Sequence, residues 1–203
     1  MNTELPVYKA YINNAECGFN VVSLVEFPAV ESDFIYMSAQ ESTEVTLQIE
    51  DEEKRIITGC VLRADYPMLR INGDYKYYIV FDRDTIELAT AKWLAESSHN
   101  SIDLSHDHNR FVDGIFLMEA YIKDSKKGIN PIGFEGVADG SLFATYKVLN
   151  DEVWNSIKSG DFKGFSIEGR FVFEEVENEE DVTMSEIEEM INKIKKYTKK
   201  CQN

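Results

Sequence analysis

Two hydrophobic rhythms run along this chain. From residue 7 to residue 81, apolar positions come in short runs rich in β-branched and aromatic side chains: 7–12, 19–25, 34–38, 45–49, 55–62 and 75–81. Runs of this kind suit the pleated, half-buried surface of strands, and Asn-Gly, proline and acidic breaks separate them. The first half is therefore predicted to be β-rich. Asn72-Gly73, between Leu69-Arg70-Ile71 and Tyr75-Lys76-Tyr77-Tyr78, is the sharpest hairpin signal, because both residues tolerate the positive φ that tight hairpins demand.

Beyond residue 81 the period lengthens. Asp84 is placed to cap a helix, Glu87 to reach back to it, and Ile86, Ala89, Trp93 and Leu94 make an apolar stripe that should end near Ser97. Alternation returns over 101–106 and 115–121, which predicts two more strands and puts His106 at a strand end. Residues 124–140 carry turn formers and read as a long exposed connection before a strand at 142–149. Asn150 or Asp151 then starts a short helix through Trp154 and Ile157 that Gly160 can close, and 164–173 is the last strand, with Ser166 inside it.

The pattern predicts an α+β, mostly β body over 1–175: an antiparallel β-barrel or strongly curved sheet with flanking helices. The like-charged run from Glu174 to Asp181 cannot collapse, so 176–183 reads as a solvated acidic linker. Thr183 and Glu186 form a capping box, and Ile187, Met190, Ile191, Ile194 and Tyr197 share one face of an amphipathic helix over 184–203.

Composition narrows the function classes. A chain of 203 residues that is 43% hydrophobic can bury one sizeable core. No apolar run approaches the roughly 20 residues needed to cross a bilayer, and the N-terminus lacks a signal-peptide pattern, so no membrane partner and an intracellular location are expected. A formal charge of −16 repels a phosphate backbone, which argues against nucleic-acid binding and for basic peptide partners. Cys17, Cys60 and Cys201 are odd in number and widely spaced, so they read as reduced thiols. No phosphate loop or nucleotide fingerprint is present, and no cofactor is expected.

The chemistry then narrows to few groups. A serine hydroxyl is a weak nucleophile at neutral pH and needs a base within hydrogen-bond reach, for which histidine is suited. Of the three histidines, His99 sits in a helix-to-strand connection where exposure explains it, while His106 and His108 flank Asp107. Ser166 has glycines at 164 and 169, which let other backbone approach closely, as an oxyanion site or a docked substrate strand would require. A competing reading takes His106-x-His108 as two imidazoles on one strand face, with Asp103, Asp107 or Asp113 completing a metal site for a hydrolase.

Several stretches together resemble the serine proteases of tailed phages and prophages, the XkdF-like type of prohead protease, which in turn are similar to herpesvirus assemblins. They are Val22-Ser23-Leu24-Val25-Glu26-Phe27-Pro28-Ala29-Val30, Tyr77-Tyr78-Ile79-Val80-Phe81, Leu104-Ser105-His106-Asp107, Met118-Glu119-Ala120-Tyr121-Ile122, and Asp151-Glu152-Val153-Trp154 running on into 158–169. The resemblance implies an assemblin-like fold, His106 as general base and Ser166 as nucleophile. In assemblins the third member is a second histidine after the serine. This chain has no histidine beyond 108, so a carboxylate must substitute: Glu119 or Glu168, ranked level, with Asp107 third. Arg170 is a candidate to assist the oxyanion.

The biology implied is head maturation, with scaffold protein and major capsid protein as substrates, inside the assembling prohead in the host cytoplasm. Homodimerisation, as in assemblins, is a further possibility, and the tail helix is a candidate dock on shell or scaffold. The non-enzymatic alternative is a capsid-assembly or scaffold-associated protein that keeps a protease-like fold without turnover.

Overall fold

The computed structural model describes residues 5–26, 47–107, 109 and 111–176. The elements in chain order are β1 (Val7–Tyr11), β2 (Gly18–Val25), β3 (Gln48–Asp51), β4 (Ile56–Leu62), β5 (Met68–Asn72), β6 (Tyr75–Phe81) and helix α1 (Arg83–Ala95). They continue with β7 (Ile102–Leu104), β8 (Ile115–Ile122), β9 (Leu142–Val148), helix α2 (Asp151–Ser159), β10 (Gly164–Arg170) and β11 (Val172–Glu175). The mostly β expectation holds, with two α-helices among the described residues. The segment at 34–38, the acidic linker beyond 176, the tail helix, His108 and Cys201 lie outside the described residues.

The strands form three sheets, in the orders β11-β1-β6-β5, β10-β2-β7 and β3-β4-β9-β8, and among the described residues these do not close into a barrel. β1 pairs with β6 and β2 with β7 in parallel, while the remaining neighbours are antiparallel. The single strand expected over 164–173 is two. A bulge between Glu168 and Gly169 bends β10 at its end, and the chain leaves β2 after Arg170 to pair with β1 as β11. That switch divides a continuous apolar run between two sheets.

Local chemistry explains the helix ends. α1 is capped by Asp82, whose carboxylate accepts the Thr85 N–H at 2.9 Å, and not by Asp84. Asp82 has the extended backbone an N-cap requires, whereas Asp84 is already inside the first turn. Glu87 pairs with Arg83 at 2.9 Å instead of reaching back to a cap. Ile86, Ala89 and Trp93 are buried as expected; Leu94 is exposed. For α2, Asn150 accepts the Val153 N–H, and Gly160 closes the helix at φ 83°, where a glycine carries no Cβ penalty.

The core gathers Trp93, Leu24, Ile57, Phe143, Tyr146 and Phe165, all essentially solvent-free. Gly59 on β4 decides how the sheets meet: a Cβ there would stand 2.9 Å from the Phe165 ring. The missing side chain lets Phe165 seat against β4 and so fixes β10, the strand that carries Ser166. The connection at 124–140 is less exposed than its composition suggests. Phe134 and Val137 are buried, and the equally buried Lys123 ammonium donates to the carbonyls of Phe134, Glu135 and Val137 at 3.0, 3.0 and 2.5 Å. Cys17 and Cys60 are free thiols, and burial pushes Cys60 up to about 12.

Candidate active site

In the three-stranded sheet, two apolar register rows on one face flank a polar row on the other. Phe165, Leu24 and Leu104 line up across β10, β2 and β7, as do Ile167, Val22 and Ile102. Side chains alternate between faces, so the residues between them project the other way. Those residues are Ser166, Ser23 and Asp103, which are also direct register partners. The result is a polar row across three strands, with Glu168 two residues beyond Ser166 on the same face.

His106 completes the cluster from above the row. β7 stops at Leu104, and Ser105 and His106 both adopt left-handed backbone, φ 57° and 59°. Two successive non-glycine residues in that region cost conformational energy, a cost the surrounding packing has to outweigh. The reversal folds His106 back over the sheet. Its Nδ1 lies 2.9 Å from Glu168 Oε1 and 3.0 Å from Ser23 Oγ. The imidazole is 42% exposed and the Glu168 side chain 17%, so the cluster opens to solvent on the histidine side. Ser166 is 7% exposed, and Ser23 and Asp103 are fully buried.

The residues singled out from sequence divide accordingly. His106, Glu168 and Ser166 lie on one sheet face, although neither of His106's hydrogen bonds goes to Ser166. Glu119 is on β8, opposite Thr145, and accepts that threonine's hydroxyl at 3.3 Å within a chain that continues through Thr58 to Glu50. Asp107 accepts the Asn109 N–H in a local turn. Arg170 is exposed, opposite Gly18, four residues and roughly 13 Å of strand from Ser166. It lines a separate cavity of about 370 Å³ with Lys92 and Glu96.

Gly169 has a different use from the one its spacing suggested. A Cβ there would stand 2.1 Å from the Gly18 carbonyl oxygen, so this glycine admits neighbouring β2 backbone at the bulge. Of the aspartates offered for a metal, Asp113 is exposed and its carbonyl accepts from Asn150. Asp103 is the one that joins His106, and it does so together with Glu168: one donor atom from each lies within 4.8 Å of the others.

Sequence reasoning gave no role to Ser23 and underweighted Asp103. The available signal was a single polar residue bracketed by buried apolar ones, Val22-Ser23-Leu24 and Ile102-Asp103-Leu104. Both Asp103 carboxylate oxygens are buried without a hydrogen-bond partner. That is an expensive arrangement, since an ionised carboxylate removed from water needs partners to offset its lost hydration.

A histidine held by a carboxylate over a buried polar row is an arrangement that can move protons, and comparison with known proteins gives the class. Residues 44–177, well over half of the chain, match the family model described as "Putative phage serine protease XkdF", and the chain belongs to that family. It is 27% identical over 165 residues to the "Phage-like element PBSX protein XkdF" of Bacillus subtilis (strain 168), an alignment that covers 78% of this chain and 54% of that protein. The chain thus spans about half the length of this curated relative. No solved structure matches.

Proposed function

We propose that the protein is a phage prohead maturation endopeptidase in which Ser166 is the nucleophile, His106 the general base and Glu168 the residue that orients the base. The observation that carries this reading is the 2.9 Å contact between His106 Nδ1 and Glu168 Oε1. With the Nδ1 proton donated to Glu168, Nε2 is the basic nitrogen. It takes the Ser166 proton as Oγ bonds to the peptide carbonyl carbon, then returns that proton to the leaving amine as the C–N bond breaks. Water, deprotonated by the same imidazole, cleaves the acyl ester and restores the serine. Backbone N–H groups hold the oxyanion, and Arg170 is too far along β10 to assist without rearrangement.

The substrates in this reading are scaffold and major capsid protein segments within the prohead. The net charge of −16 suits basic substrate segments. The likeness to assemblins rests on the histidine–serine pair, not on a closed barrel. A second reading, an assembly protein without turnover, is favoured by one observation: Ser166 is nearly buried and is not hydrogen-bonded to His106.

Co-expression with the cognate scaffold and capsid proteins separates the two. Processing is expected with the native chain and lost in Ser166→Ala and in His106→Ala; processing that persists in either variant, or that never occurs, refutes the assignment. Glu168→Gln should cut the cleavage rate by about 100-fold or more, because an amide no longer fixes the productive tautomer. Glu119→Gln should leave it within about threefold, as expected for a residue outside the site.

A further inference from the structure

The buried, unpartnered carboxylate of Asp103 calls for a cause. We propose that Asp103, His106 and Glu168 form a zinc-binding site, and that zinc held there switches the protease off. Three observations carry it. Donor atoms of the three residues lie within 4.8 Å of one another. Asp103 is fully buried, and neither of its carboxylate oxygens has a hydrogen bond. The imidazole is 42% exposed, which leaves solvent access and room for a water as fourth ligand.

The donor set suits the ion. One imidazole nitrogen and two carboxylates is a borderline-soft combination typical of zinc, whereas calcium and magnesium prefer oxygen alone. Zinc–ligand distances of about 2.0–2.2 Å place tetrahedral ligands roughly 3.4 Å apart, so modest side-chain rotations close the cluster around the ion. The cation would also give Asp103 the counter-charge that its surroundings lack.

Inhibition follows from which nitrogen binds. Nδ1 is the nitrogen that meets Glu168, at 2.9 Å, so it is the donor to zinc, and its proton must move to Nε2 when the metal arrives. Nε2 then carries a hydrogen and cannot accept the Ser166 proton, while Glu168 leaves its orienting role to become a ligand. The inhibitory half of the proposal rests on His106 being the base; the binding half does not.

Zinc chloride titrated into chelator-treated full-length protein, followed calorimetrically, is expected to show one site with micromolar or tighter affinity. Asp103→Asn and Glu168→Gln should each weaken it by at least about tenfold. Ser166→Ala should bind as tightly as the native chain, which makes the result independent of any proteolysis. Zinc should raise the melting temperature of the native chain, and magnesium should not. Absence of binding, or zinc binding that survives Asp103→Asn and Glu168→Gln unchanged through other surface groups, overturns the site. In the cleavage assay, zinc should stop processing and chelator should restore it. Tight binding with undiminished cleavage would overturn the switch and leave the site standing.

Discussion

Among the buried ionisable side chains of the described residues, Lys123 and Asp103 are treated in opposite ways. The Lys123 ammonium, at the end of β8, is 2% exposed and meets three carbonyl oxygens of the 134–137 segment. The Asp103 carboxylate, in the middle of β7, is fully buried and meets none. A buried charge with a full set of partners ties a connection to the core and costs little once formed. One without partners lowers stability and persists where something else requires it. The difference sets the lysine apart as structural and leaves the aspartate as the group that the proposed zinc site would partner.

That contrast can be broken by experiment. The largest effect should come from Lys123→Met, which strands three carbonyls at once; a loss of about 3 kcal/mol in urea unfolding is expected, with the 124–140 connection becoming the first site of proteolysis. Asp103→Asn should act in the opposite sense, with unchanged or higher stability in chelator, by up to about 1 kcal/mol, because a neutral amide is cheaper to bury than a lone carboxylate. Equal destabilisation by both variants would erase the distinction.

The smallest effect concerns a third charge. Partial burial opposes ionisation of Asp82, but hydrogen bonds from Lys9 and Thr85 outweigh it and hold its carboxyl down to about 2. A group lower in the folded than in the unfolded chain stabilises above the ordinary carboxylate range, about 4, and that stability is lost as pH falls through 2. Asp82→Asn keeps the cap and loses the ion pair. It should flatten the acid unfolding profile between those limits by no more than about 1 kcal/mol.

The sequence was most readable where structure is decided locally. β6 and the Asn150-to-Gly160 helix lie where alternation and capping chemistry put them, because strand period, N-cap and C-cap act within a few residues. The α1 cap shifted from Asp84 to Asp82 because two aspartates at that spacing offer the same side chain and only backbone conformation chooses. Glu168 and Glu119 could not be ranked from sequence, since pairing of β8 with β9 and of β10 with β2 sends them to different sheets. The Ser166-Ser23-Asp103 row depends on parallel pairing of β2 with β7, a non-local register that no short window contains. Lys123 was hidden for a simpler reason: lysine is seldom buried, and its partners are backbone carbonyls, which have no sequence signature.

The central claim, that Ser166 is the nucleophile and His106 its base, is tested most directly by labelling the full chain, in chelator, with a fluorophosphonate and locating the adduct by peptide mass spectrometry. The account expects a single adduct on Ser166, absent when His106 is replaced by alanine. An adduct on Ser23, or labelling of Ser166 that is indifferent to His106→Ala, would contradict it.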